Sequence, residues 1–152
     1  MPDLLTHLVS TRAPAAFLRD RQVQAALVFG SFLPDLVTKT LYWGAWAGND
    51  FLEPVHSLPG LLLLCYAAAL FVEAPLRKAA FAALCAGALL HLGVDMIKDN
   101  LGTGSAALLY PFSTRGYEFG WIEWHDTVLL LPLDAAVLFL LAWIERRSGR
   151  VP

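Results

Sequence analysis

Apolar residues run in blocks along this chain, and polar residues gather at the block ends. The first block, residues 3–18, is short and broken, with Pro14 placed to stop or restart a helix. Arg19-Asp20-Arg21 reads as a polar turn, and residues 22–34 are apolar again up to Pro34-Asp35, where the proline is expected to end the helix and leave Asp35 in a loop. Neither piece reaches the roughly 20 residues that cross a bilayer upright, so the two read as an antiparallel, interfacial or re-entrant N-terminal segment. Residues 38–55, with Tyr42, Trp43, Trp46 and two glycines, read as a loop at the lipid–water boundary. Three stronger blocks follow at residues 57–73, 79–97 and 126–144. Pro75 and Arg77-Lys78 turn the chain between the first two, and residues 98–124 form a polar and aromatic connection to the third. Lipid tolerates no open sheet edge. The pattern therefore predicts an all-α, polytopic membrane bundle of about four spanning helices, as one domain over residues 1–152.

Composition agrees. The 152 residues are 57% hydrophobic and only 16% charged, with a mean hydropathy of +0.56. Soluble domains run at roughly 45–50% apolar and about 25% charged, so the balance favours membrane. The net charge of −2 gives no basic surface for nucleic acid. Cys65 and Cys85 lie inside apolar blocks and read as small packing residues. Residues 1–20 carry Asp3, His7, Arg12 and Arg19 and no uninterrupted apolar core, so no cleavable signal peptide is expected.

Charge then orients the blocks. Arg77-Lys78, the arginines of the tail at 146, 147 and 150, and Arg19 with Arg21 belong on the cytoplasmic side of a plasma or inner membrane. That choice puts Asp35, His56 and the end of the block carrying His91 and Asp95 on the non-cytoplasmic side, joined by His7 if the two N-terminal pieces are antiparallel. Lys39, Lys98 and Arg115 fall on that outer side against the rule.

Ionisable groups in or beside membrane spans are expensive to keep and are usually functional, and His and Asp are zinc and manganese ligands. His91 and Asp95 are four apart, one turn on one helix face, and Asp99 extends the same stripe. The same spacing also suits a His–Asp lock between helices. Ser57 reads as an N-cap with His56 just outside the span. Adjacent His125 and Asp126 diverge on a helix, and Asp126 reads as a cap for the last span. Glu123 and Asp134 are weaker candidates, Asp134 for a contact between helices. The chain has no GxSxG and no HExxH.

Taken together, Thr6-His7, Leu33-Pro34-Asp35, His56-Ser57, His91-Leu92-Gly93-Val94-Asp95 and Leu108-Leu109-Tyr110-Pro111-Phe112 resemble, in order and spacing over about residues 1–120, the YdjM-like (LexA-regulated) membrane-bound, metal-dependent hydrolases. Two departures stand out: Leu36-Val37-Thr38 follows the PD pair where the family often has a second acidic residue and a His, and Glu53-Pro54-Val55 precedes HS where it often has a Thr. A looser likeness exists to zinc-dependent phospholipase C. The resemblance implies a divalent ion, zinc before manganese, held by His7, Asp35, His56, His91 and Asp95, with Asp35, Asp95 or Asp99 as general base. It implies hydrolysis at the membrane–water interface, and that location favours a phosphoester or lipid-linked substrate. Two other readings stay open. One is a small transporter or proton relay, for which Asp134 is the main support. The other is a non-catalytic membrane subunit with His–Asp locks. The bilayer is the expected partner, and further copies of the chain could complete the bundle.

Overall fold

A computed structural model describes residues 3–43, 52–97, 107–123 and 126–147. Among them the chain is all-α: α1 Asp3–Ala15, α2 Arg21–Trp43, the single turn α3 Leu52–Val55, α4 Leu58–Ala69, α5 Arg77–Ile97 and α6 Thr127–Arg147. Two helices, α5 and α6, are long and apolar enough to cross a membrane. The expected block at 57–73 is shorter than its apolar run: α4 has 12 residues, or about 18 Å, less than a bilayer's hydrocarbon thickness. Beyond it, Leu70 to Leu76 turn the chain through short-range backbone hydrogen bonds.

The larger departure is at Pro34. The helix does not end there: α2 runs through it for 23 residues, so Asp35 is a helical residue and not a loop residue. Part of the stretch read as a loop, up to Trp43, is helix as well. Proline removes one N–H, the partner of the carbonyl four residues back, and membrane helices tolerate that loss where neighbouring helices pack around it. Here Pro34 is fully buried, and the Thr38 hydroxyl donates to its carbonyl at 2.9 Å.

Helices α2 and α5 form the most extensive helix pair. Each presents a glycine to the other. A Cβ on Gly30 would lie 2.3 Å from the Leu84 carbonyl oxygen, and one on Gly87 would lie 2.0 Å from the Leu27 carbonyl oxygen. The two backbones therefore touch, as small residues permit between membrane helices. Around this crossing Leu33, Leu61, Cys65, Ala69, Leu84, Ala88 and Leu92 close a core shared by α2, α4 and α5. Cys65 is a packing residue there, and both cysteines are free thiols.

Among the helices, α6 packs on α1 alone. Leu129, Leu133 and Phe139 face outward from it. Two polar contacts hold it: the Thr6 hydroxyl donates to Asp134 Oδ2 at 2.7 Å, and Arg12 pairs with Glu145 at 2.6 Å. Asp134 thus makes the contact between helices expected of it. The order of these contacts, Thr6 with Asp134 and Arg12 with Glu145, makes α1 and α6 parallel, whereas the short turn after α1 and Thr11 beside Ser31 make α1 and α2 antiparallel. One end of the bundle consequently carries Arg19, Arg21, Arg77, Lys78, Arg146 and Arg147, while the other receives His7, Asp35, His56, His91 and Asp95.

Candidate metal centre

Four chain segments deliver these side chains. His91 and Asp95 come from the last turns of α5, one turn beyond the Gly87 contact. Backbone carbonyls at a helix C-terminus need partners from outside the helix. Here Phe119 N donates to the Met96 carbonyl at 2.7 Å and Trp121 N to that of Ile97 at 2.8 Å, which ties the 107–123 segment to the helix end. Asp35 comes from α2, five residues past Gly30. His56 sits in the turn before α4, where Ser57 is the N-cap: its hydroxyl accepts from Gly60 N at 3.1 Å and donates to the Pro54 carbonyl at 2.9 Å. Leu58 N donates to the Leu108 carbonyl at 2.8 Å and fixes the same turn from the other side. His7 comes from α1, where Thr11 donates to its carbonyl at 2.9 Å and lies 3.2 Å from Ser31 on α2.

Asp95 stands between two imidazoles. Its Oδ1 is 3.3 Å from His7 Nε2, and its Oδ2 is 3.0 Å from His91 Nε2 and 4.0 Å from His56 Nε2. Asp35 Oδ1 is 3.9 Å from both His56 Nε2 and His91 Nε2. The rings of His7 and His91 stack at 4.0 Å, and that of His56 lies 5.5 Å from His91. His7 and His91 are buried, whereas Asp35, His56 and Asp95 are partly open, so the group has a buried floor and an accessible rim.

Two sets, His7 with His91 and Asp95, and Asp35 with His56 and His91, each bring their donor atoms within 4.8 Å of one another. Two atoms each about 2.0–2.1 Å from one ion lie about 3.3 Å apart at the tetrahedral angle and never more than about 4.2 Å apart. The five separations, from 3.0 to 4.0 Å, lie within the span that two ligands of one ion can bridge, and those of 3.0 and 3.3 Å are near the tetrahedral value. His91 adds a second sign. Its Nε2 is close to Asp95 yet makes no aligned hydrogen bond, and its Nδ1 makes none either among the described residues. A fully buried imidazole without hydrogen bonds is costly. An atom that is near a carboxylate without pointing at it is arranged as a fellow ligand would be.

The structure therefore brings His7, Asp35, His56, His91 and Asp95 to one place. Asp99 and His125 lie outside the described residues. Asp126 sits in the turn before α6, its carbonyl accepting from Leu129 N at 2.9 Å, and Glu123 is exposed at the end of the connection. Lys39 enters the site from a direction the sequence had marked only as an exception of charge: its ammonium pairs with Asp35 Oδ2 one turn along α2. The spacing of four is the readable signal, but it is visible only once α2 is known to pass Pro34.

Helices of this length and apolarity, with a His/Asp cluster at one end of the bundle, define a helical membrane protein with a possible metal site. The chain belongs to the YdjM inner membrane protein family, which it matches over residues 1–151. No curated protein and no solved structure matches it.

Proposed function

We propose that this protein is a divalent-metal-dependent hydrolase of the inner membrane. It acts at the non-cytoplasmic membrane–water boundary on a phosphoester or lipid-linked substrate, as one domain of about four spanning helices with α5 and α6 among them. One observation carries the reading: three imidazoles and two carboxylates from four segments converge with separations of 3.0 to 4.0 Å on a buried floor. Lys39 opposes full occupancy of Asp35 by the ion but leaves its Oδ1 available.

A bound divalent ion, zinc before manganese for this donor set, would polarise a phosphoryl or carbonyl oxygen and acidify water. His7 and His91 hold the floor of the site and exclude solvent from it. Asp95 presents one oxygen to each ring, Oδ1 at 3.3 Å from His7 Nε2 and Oδ2 at 3.0 Å from His91 Nε2. Asp35 sits on the open side next to His56, with Lys39 holding one of its oxygens, and would take a proton from an attacking water if its other oxygen does not ligate the ion. Asp95 and Asp99 are the alternatives for that role. Exposed Phe112, Phe119 and Trp121 stand at the same end of the bundle, and such aromatics favour the headgroup level, where a lipid-linked substrate would present its polar part. The arginine-rich end would then face the cytoplasm.

The test is turnover in vesicles. Protein stripped by chelator and reloaded with zinc or manganese should hydrolyse a member of a phosphoester and lipid-ester panel, and Asp35→Ala should not. Loaded, folded protein inactive across the panel would defeat the hydrolase reading. The rival reading of a His–Asp helix lock draws on the 3.3 Å His7–Asp95 contact between α1 and α5. It explains one such pair but not a second carboxylate and two further imidazoles beside it.

A further inference from the structure

The rim of the His/Asp group carries a cation. Lys39 lies one turn beyond Asp35 on α2, and its ammonium pairs with Asp35 Oδ2. The other oxygen of the same carboxylate, Oδ1, is the one 3.9 Å from both His56 Nε2 and His91 Nε2. The ammonium is therefore held one carboxylate away from the imidazoles. At 32% exposed it is more open than Asp35, His56 or Asp95, which puts it at the mouth of the site. An ammonium has three N–H donors. Among the described residues Asp35 takes one of them, which leaves two for a ligand entering from the open side.

Charge decides what such a mouth accepts. With neutral imidazoles, Asp35, Asp95 and Lys39 leave the group one charge negative. A divalent ion on the donors turns that into one charge positive, whereas the same loaded site without Lys39 would be neutral. The excess charge sits on the ammonium, at the open side. We propose that Lys39 is the substrate-binding residue that selects an anionic phosphoester over a neutral carboxylic ester, its two remaining N–H groups holding a non-bridging phosphoryl oxygen. The proposal rests on the hydrolase reading and names the substrate class for it. Lysine binds phosphate as a compact point charge, which suits a single ammonium held in place by a neighbouring carboxylate.

Zinc-loaded, full-length protein in detergent is titrated calorimetrically with ethylphosphonate, a phosphomonoester mimic that cannot be hydrolysed, and with diethyl ethylphosphonate, the same group without its charge. Wild type should bind the charged probe in preference to the neutral one. Lys39→Met should bind ethylphosphonate about tenfold to a hundredfold more weakly, the worth of hydrogen bonds to a charged group, while its zinc affinity does not fall. Lys39→Arg keeps the charge and should keep most of the binding. Arg115→Gln removes a cation from the segment tied to the end of α5, where the guanidinium lies 5.5 Å from the Tyr117 ring, and should bind as wild type does. Octadecylphosphonate in the micelles identifies the source: binding tighter than ethylphosphonate marks a lipid headgroup, parity marks a soluble phosphoester, and either must weaken in Lys39→Met. Full affinity in zinc-loaded Lys39→Met, equal binding of the charged and neutral probes, or equal loss in Arg115→Gln would each overturn the proposal. The two readings fail separately. Lys39-dependent binding in a protein that turns over no substrate would defeat the hydrolase reading and leave the anion site standing, whereas turnover with binding indifferent to Lys39 would defeat this proposal alone.

Discussion

At Gly87 the backbone of α5 lies against α2 so closely that a methyl group has nowhere to go. An alanine Cβ there would sit 2.0 Å from the Leu27 carbonyl oxygen and 2.9 Å from Ser31 N, both backbone atoms that no change of rotamer can move. Reaching an ordinary contact of 3.4 Å demands about 1.4 Å of separation between the helices. His91 is one turn from Gly87, and Asp35 is five residues from Gly30, so most of that separation reaches the site. The 3.9 Å between Asp35 Oδ1 and His91 Nε2 would grow to about 5 Å, beyond the roughly 4.2 Å that two ligands of one ion can span. Gly87→Ala should therefore lose Asp35 from the metal. The expected fall in zinc affinity is about tenfold to a hundredfold, the range found when the support of a ligand is removed. Overpacking should also destabilise the bundle by about 1–3 kcal/mol. The assay is calorimetric titration of stripped protein with zinc in detergent, in parallel with thermal unfolding. Gly93→Ala is the control: it lies on the same helix, and nothing stands within 4 Å of its Cβ. Wild-type zinc affinity and unfolding in Gly87→Ala, or an equal effect in Gly93→Ala, would refute the reasoning.

Three further outcomes follow from the same geometry. Ser57→Ala removes the cap of α4 and should destabilise by about 1 kcal/mol in thermal unfolding, with weakened zinc affinity because His56 is the preceding residue. Thr6→Val leaves the buried Asp134 carboxylate without its hydroxyl donor and should cost about 1–3 kcal/mol, while Thr6→Val with Asp134→Leu should recover much of the loss, as read by unfolding of the double-mutant cycle. Lys39→Met removes a cation that competes for Asp35 and should raise zinc affinity by on the order of tenfold in the same titration.

Much of this was legible in the sequence because donor residues at the ends of apolar blocks have few places to go. Antiparallel blocks of similar length put alternate ends together, so His7, Asp35, His56 and the end of α5 meet once the order of helices is known. The Ser57 cap and the one-turn spacing of His91 and Asp95 were equally local, and both appear as read. What escaped depends on tertiary contact. Pro34 has a strong local preference to end a helix, but packing against α5 carries α2 past it, and with that the Asp35–Lys39 pair is formed. The length of α4 escaped because apolar residues beyond Ala69 are equally at home in a turn facing lipid. Gly30 and Gly87 are unremarkable apolar-block glycines until the two helices are seen to cross at them. The count of spans has the same origin: composition admits about four, while among the described residues α5 and α6 alone satisfy length and apolarity together.

The central claim is that the His/Asp group holds a metal ion, and the most direct measurement is the metal content of purified, detergent-solubilised protein by inductively coupled plasma mass spectrometry, wild type beside His91→Ala and Asp95→Ala. The account predicts about one or two equivalents of zinc or manganese in the wild type and loss of metal in both variants. A folded wild type that takes up no metal even after reconstitution, or variants that keep their full complement, would contradict it.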